Sequence, residues 1–533
     1  EKIIDKVKIL WNNGRVQELK DVPVNQNLVI EYKNSSSAQK IKGNSPKWFE
    51  RVQDAVVDFV HEEDDFDDFA NEYLIPHKIS TEGPKIATGD INNDGLEDFF
   101  VTGAKGQASA LYKQVRDGES NYFKKVIVQI IEEDRGQEDV DAIFLDADDD
   151  GDQDLYVVSG GAYTKDSSKY LDRLYLNDGS GAFNKYLGEL PESNGSVVEV
   201  GDFNKDGKVD LFVGTRSEYG SYGVSPDSYI LWNNGININK TPSFKIETLE
   251  KLGMVTDANW NSMEENLIVV GEWMPITLIG FKEDSVLSKK KLPNSVGLWN
   301  SVHRADINGD SRMDILVGNL GVNSSWKASK DQPLSLIVKD WDQNGSIDPI
   351  IAYYHDDREW IYNSLDELKK QMPLVRKRYR DYETFAKDGL KEAFSEKDLK
   401  SAQIKSVQTL LSTVYLNKDG VYEPKPLPHE VQMAPIYAFL TGDFNSDGIM
   451  DILAAGNFSG FTPSLGKQDV SYGNLLLGNN QGSWKYIEPY ESGFSVKGMA
   501  RDIKGIKLKN KQLLLVANND AAIEMFCRKF TSN

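Results

Sequence analysis

One nine-residue pattern, D-x-[DN]-x-[DN]-[GS]-x-x-D, occurs six times in this chain of 533 residues and constrains it more than any other feature. Positions 1, 3, 5 and 9 offer side-chain oxygens, and position 7 offers a backbone carbonyl. The first copy places Asp90, Asn92, Asp94, Leu96 and Asp98 at positions 1, 3, 5, 7 and 9. The second has Asp146, Asp148, Asp150, Asp152 and Asp154, and the third Asp202, Asn204, Asp206, Lys208 and Asp210. The fourth has Asp306, Asn308, Asp310, Arg312 and Asp314, and the fifth Asp340, Asp342, Asn344, Ser346 and Asp348. The sixth has Asp443, Asn445, Asp447, Ile449 and Asp451.

Spacing adds to pattern. Asp90, Asp146 and Asp202 lie 56 residues apart. A further 55 residues reach Asp257, a degraded copy without the central acids, and another 49 reach Asp306. A period near 50 residues marks propeller blades or a solenoid. Asp340 follows Asp306 by only 34 residues, so the fifth copy reads as a second metal loop in the same blade. A last degraded copy near Met499–Asp502 brings the units to seven, headed by Asp90, Asp146, Asp202, Asp257, Asp306, Asp443 and Asp502. β-Branched and aromatic runs flank the loops, among them Val197–Val200, Tyr437–Leu440, Asp98–Val101 and Leu155–Val158. Leu174-Tyr-Leu-Asn177-Asp-Gly179 recurs at Ile230–Gly235 and Val414–Gly420 and reads as a hairpin, because Asn-Gly and Asp-Gly supply positive φ. Several short antiparallel strands per unit are the anatomy of a propeller blade. The segment Leu365–Lys400 departs from it: rich in Leu, Glu, Lys and Ala, it predicts two or three helices broken at Pro373. Its basic run Arg376–Arg380 reads as a solvated helix face or a docking patch.

Hard oxygen ligands converging from one short loop suit Ca²⁺, with its six to eight oxygens in flexible geometry, better than octahedral Mg²⁺. An EF-hand is excluded, because its bidentate Glu at position 12 is replaced by Val101, Val157, Val213, Val317, Ile351 and Ala454. A lone copy would read as a solvated Asx-turn; six regular copies do not. Ser311 stands at position 6 of the fourth loop where the others have Gly, which predicts a slightly weakened site. About six Ca²⁺ ions are expected, pinning hairpin loops.

Nineteen of the 83 acidic residues are such ligands, so the net charge of −22 is largely a metal inventory. That acidity excludes a nucleic-acid or anionic-membrane binder, which needs a basic face. The single Cys527 excludes an intrachain disulfide and a Cys-based zinc site. No apolar run is long enough to span a membrane as a helix. No G-x-S-x-G elbow, P-loop, G-x-G-x-x-G or H-E-x-x-H occurs, so no catalytic constellation is recognisable and a non-enzymatic role is expected. Trp260, Trp273, Trp326 and Trp341 read either as a sugar-stacking surface or as packing between blades. Glu1–Asp5 carry neither an initiator Met nor a signal-peptide apolar region, as in a processed or trimmed product.

From about Leu74 onward, the acidic loop followed by an apolar strand and Gly resembles the FG-GAP/VCBS repeat, found also in integrin α propellers. The start, Val7–Gln26, resembles the end of an ASPIC/UnbV module, and Ile75–Pro84 and Gly271–Pro275 resemble the same family. The resemblance implies an all-β, seven-bladed β-propeller with calcium-binding blade loops, a small helical insertion and an extracytoplasmic, bacterial surface or secreted location. The organisation expected is an ASPIC/UnbV-like fragment at 1–33, a linker at 34–73 and the propeller at 74–533, with the helical insertion at about 363–402. The fragment at 1–33 suggests one section of a longer protein with tandem units. The function expected is a Ca²⁺-stabilised interaction scaffold whose partner is a surface or outer-membrane protein. The alternative is a glycan-binding module for polysaccharide capture, and a further reading is an enzyme using the propeller channel.

Overall fold

Short β-branched and aromatic runs alternating with Gly- and Asn-rich turns fold almost throughout as antiparallel strands. The computed structural model describes residues 2–11, 15–36, 47–52, 57–70, 72–118, 120–238, 240–479, 481–509 and 511–528. The chain divides into two units, Glu1–Lys47 and Trp48–Asn533. In the first, Ile3–Leu10 pairs with Val16–Pro23, and Trp11 meets the ring of Tyr32 edge-on at 5.1 Å. Asn12, Asn13 and Gly14 of the ASPIC/UnbV-like stretch lie outside the described residues, as do 37–46, 53–56 and 71 of the expected linker.

Among the described residues the second unit holds eight sheets, seven of which follow one another in a series. The first is Ile86–Gly89, Asp98–Val101, Ala110–Asp117 and Ser120–Val126. The second is Asp139–Leu145, Asp154–Ser159, Arg173–Asn177 and Phe183–Lys185, and the third Gly195–Gly201, Asp210–Thr215, Ser228–Ile236 and Pro242–Leu249. The fourth has three strands, Met254–Asn261, Asn266–Phe281 and Val286–Leu298. The fifth is Ser301–Ala305, Asp314–Gly318, Thr413–Lys418 and Val421–Pro426, and the sixth Ile436–Gly442, Asp451–Gly456, Asn474–Gly478 and Trp484–Ile487. The seventh takes Met499–Leu508, Lys511–Asn519 and Glu524–Arg528 from the end of the chain and Phe49–Arg51 from near its start. The stretch expected as a linker thus contributes a strand.

The second strand of each sheet is buried on both faces, because the two-residue side-chain period sends alternate residues to the two neighbouring sheets. Phe100 packs with Leu155 of the second sheet, while Phe99 packs with Leu515 of the seventh. Val158 with Val213, Phe212 with Val269, Ile268 with Val317, Leu316 with Ala454, and Leu453 with Val516 continue the series through the remaining sheets. The first strands follow the same circuit and return from Met499–Leu508 to Ile86–Gly89. At their starts, Lys85, Val140, Ser196, Thr256, Asn300, Tyr437 and Arg501, one from each sheet, line a single pocket.

Three expectations are corrected. The fifth acidic copy is not a second loop of the fifth sheet. It joins Leu334–Val338 to Ile350–His355 in an eighth sheet, completed by Arg358–Ile361 and Gln403–Val407. This sheet is inserted between the second and third strands of the fifth. The helical insertion has five short helices, Leu365–Gln371, Val375–Arg378, Tyr382–Phe385, Leu390–Ala393 and Glu396–Lys400, and it is part of that larger insertion. Its first helix opens on a capping box: Ser364 accepts from the Glu367 N–H, and Glu367 accepts from the Ser364 N–H. In the basic run Arg376, Lys377, Arg378 and Arg380 are exposed, Arg376 and Arg378 donate to the Lys369 and Glu392 carbonyls, and Tyr379 is buried. Asp257 and Asp502 are not loop residues either. They sit within first strands at β-bulges, where Asp257 accepts from the Val302 N–H at 2.7 Å and Asp502 from the Ile86 N–H at 3.0 Å. Asp141 does the same for the Val198 N–H at 2.9 Å, so all three tie one sheet to the next.

Candidate metal centres

All six acidic copies fold alike. Five join the first strand of a sheet to its second, at the end of the circuit opposite the seven-residue pocket. The carboxylate at position 1 accepts the N–H of position 5 through Oδ1, at 3.0–3.2 Å in Asp90, Asp146, Asp202, Asp306, Asp340 and Asp443. Its Oδ2 accepts the N–H of position 6, at 2.7–3.0 Å. The side chain at position 5 accepts the N–H of position 7 at 2.8–3.1 Å in every copy. These bonds wind the loop so tightly that positions 4 and 6 both take positive φ. Gly occupies position 6 except in the fourth loop, where Ser311 is held at φ +66°.

The position-9 carboxylates Asp98, Asp154, Asp210, Asp314, Asp348 and Asp451 are fully buried. Each takes the N–H of position 2 at 2.8–3.1 Å. Its other oxygen accepts from the third strand, from the N–H of Gln114, Asn177, Asn233, Asn417 or Gly478, or from the Gln371 side chain in the fifth loop. Burial pushes Asp98, Asp210, Asp314, Asp348 and Asp451 up to about 6, and Asp154 to about 7, against the pull of those N–H bonds.

In the two copies with Asp at position 3, three carboxylates converge. Asp146, Asp148 and Asp154, and likewise Asp340, Asp342 and Asp348, each bring one oxygen within 4.8 Å of the others. Oδ1 of Asp148, of Asp342 and of Asn92 is buried without a hydrogen-bond partner among the described residues. A hard cation is the group such a donor set accommodates, so the residues fit a bound Ca²⁺. The other four loops place Asn at position 3. In three of them its amide donates to the carboxylate at position 5, Asn92 to Asp94 at 2.8 Å, Asn308 to Asp310 at 3.1 Å and Asn445 to Asp447 at 2.8 Å. The third loop carries its own cation, with Lys208 Nζ 2.9 Å from Asp206. Burial works to raise Asp206, but the hydrogen bonds from Lys208 prevail and hold it below the usual range. Arg312 likewise lies 3.5 Å from Asp310.

The three expected hairpins form, and the Asn of each also holds the acidic loops. Asn177 donates through Nδ2 to the Ile91 carbonyl in the preceding sheet's loop at 2.8 Å and to the Gln153 carbonyl at 3.0 Å. Asn233 repeats this with the carbonyls of Ala147 and Val209, and Asn417 donates to the Glu264 carboxylate and the Met313 carbonyl. The recurring run of three apolar or aromatic residues followed by Asn was the signal. Of the four tryptophans, Trp273 and Trp326 are buried, and half-buried Trp260 and Trp341 lie against Phe203 and Phe394.

Residues 146–213 match the family model of the FG-GAP-like repeat, and residues 1–37 match that of ASPIC and UnbV. No curated protein matches the chain. Among solved structures, the crystal structure of Saccharomyces cerevisiae Sqt1 aligns over 85% of this chain and 96% of that one, at 10% identity and a TM-score of 0.40, too slight a likeness to bear on fold or function. The two family matches support an FG-GAP repeat protein of the ASPIC/UnbV type.

Proposed function

We propose that Trp48–Asn533 is a seven-bladed β-propeller stabilised by Ca²⁺ and serving as an extracytoplasmic interaction scaffold, in keeping with the FG-GAP and ASPIC/UnbV matches. Seven apolar clusters joining consecutive sheets, the return of the seventh to the first, and a pocket lined by all seven first strands support the blade count. The metal reading is carried by the convergence of Asp146, Asp148 and Asp154 around unpartnered oxygen, repeated at Asp340, Asp342 and Asp348. Side chains at positions 1, 3, 5 and 9 and the position-7 carbonyl would hold each ion. When bound, Ca²⁺ supplies the positive charge that offsets the mutual repulsion of the loop carboxylates. The loop hydrogen bonds preorganise the oxygens, and the position-9 carboxylate couples each site to the third strand. Six divalent ions would leave the loaded protein at a net charge of −10.

Because ions bind the folded state preferentially, Ca²⁺ should raise the melting temperature and a chelator should lower it. No change on chelation refutes the metal reading. Affinity capture from bacterial envelopes with the Ca²⁺-loaded chain tests the scaffold role. A glycan array tests a second reading. It is favoured by a groove of about 460 Å³, at the end opposite five of the acidic loops, lined by Tyr170, Tyr219, Tyr229, Glu192 and Asn194 among others. Tyrosine rings beside hydrogen-bonding groups suit stacked sugars. Array binding that is lost in Tyr219→Ala would favour the glycan over the protein partner.

A further inference from the structure

We propose that the pocket at the starts of the seven first strands binds a carboxylate group through Arg501. The other deeply set arginines have acidic or amide partners. Arg173 pairs with Asp139, Arg216 bridges Glu82 at 2.9 Å and Glu272 at 2.7 Å, and Arg304 donates to Asn266 beside Glu264. Arg501 is 2% exposed and has no carboxylate in ion-pair contact among the described residues. Its guanidinium lies over the rings of Tyr437 and Phe458, at 4.3 and 5.2 Å. Nη1 donates to the Asn457 carbonyl at 3.1 Å, while Nη2 has no partner among the described residues. A buried charge without a counter-ion is strongly destabilising, and a bound anion removes that cost.

The surroundings select an anion. Lys78, Lys85 and Arg216 line the same pocket, and its one acidic lining residue, Glu82, is already paired with Arg216. The lining side chains thus carry a positive excess in a chain of net charge −22, while Lys85 also faces the carboxylates of Asp141 and Asp257. The neighbouring Ser196 and Thr256 hydroxyls donate to the backbone carbonyls of Val255 and Trp299, at 2.7 and 2.8 Å. The cations therefore carry the recognition. The cavity of about 40 Å³ accommodates roughly three water-sized groups, the size of a carboxylate head, at about 10–15 Å³ each. A planar carboxylate also matches the fork of an arginine. An acidic sugar and the free end of a peptide present the same group.

The test uses the full Ca²⁺-saturated chain at constant ionic strength, titrated calorimetrically with acetate and with acetamide as the uncharged control. Binding of acetate but not acetamide is expected, and binding of neither, or of both equally, overturns the proposal. D-Glucuronate and N-acetylglycine then distinguish an acidic sugar from a peptide end, and tighter binding of either than of acetate supports a larger carboxylate ligand. Arg501→Gln should weaken acetate binding on the order of tenfold or more, and unchanged affinity overturns the assignment. Should that buried substitution prevent folding, Lys85→Gln and Lys78→Gln decide: a several-fold loss in either supports the site, and unchanged affinity in both refutes it.

Discussion

Asp148→Asn separates a metal centre from a hydrogen-bonded Asx-turn by the sign of its effect. Asp148 Oδ1 is buried with no hydrogen-bond partner among the described residues, and its neighbours across the loop are Asp146 and Asp154. Burial, then Asp150 and Asp146, pushes Asp148 up to about 6 from an ordinary value of 3.8. That shift of about two units corresponds to a ceiling of about 3 kcal/mol of ion destabilisation without metal. Asp148 is only partly buried, so screening reduces the figure to about 1 kcal/mol. In excess chelator the isosteric amide should therefore leave stability unchanged or raise it by up to about 1 kcal/mol. In millimolar Ca²⁺ it removes a charged ligand, which should weaken that ion roughly 10–100-fold and lower stability by about 1–3 kcal/mol. Denaturant unfolding of wild type and variant, each with Ca²⁺ and with EGTA, reads both numbers. A change of the same sign in both conditions, or no dependence on Ca²⁺, refutes the reasoning.

Asn177→Ala strips the buried carbonyls of Ile91 and Gln153 of their donor, and denaturant unfolding should show a loss of about 2–4 kcal/mol. Ser311→Gly relieves a positive φ of 66° while keeping the N–H bond to Asp306. It should stabilise by about 0.5–1 kcal/mol and tighten Ca²⁺ binding measured by calorimetry. Glu199 sets the direction of a pH dependence. Burial raises it from 4.5 to about 8, so between those values the folded state retains a proton that the unfolded state has lost. Stability of the Ca²⁺-saturated protein should then fall as pH rises through that window. Glu199→Gln, which can still accept from the Trp260 N–H, should flatten the fall in melts across pH.

The loops were legible because their chemistry is local. Position 1 collects two N–H groups from within its own nonapeptide, so a spacing of alternate acids and one Gly already determines the turn. Strands such as Val197–Val200 and Tyr437–Leu440 were legible because β-branched and aromatic runs bounded by turns carry their own signal. The extra sheet was not. Leu334–Val338 pairs with Gln403–Val407 across some 65 intervening residues that include five helices, and no local pattern announces so remote a partner. Asp257 and Asp502 were misplaced for a related reason. Matching them by period ignored the bulges that keep them in the strands, where their carboxylates serve the next sheet.

By itself the sequence determined the loops: which residues carry the oxygen donors, that the donors suit a hard divalent cation, and that the loops lie between strands rather than helices. Those properties depend on neighbours within nine residues. Only the tertiary structure decided that Phe49–Arg51 completes the last sheet and that Asp148 and Asp342 carry oxygens without a partner among the described residues. It also placed Arg501 among side chains from the other six sheets of the circuit, with no carboxylate in ion-pair contact among the described residues. Burial and pairing are set by residues hundreds of positions apart, and the energy of a charge depends on what surrounds it in space rather than on what flanks it in the chain.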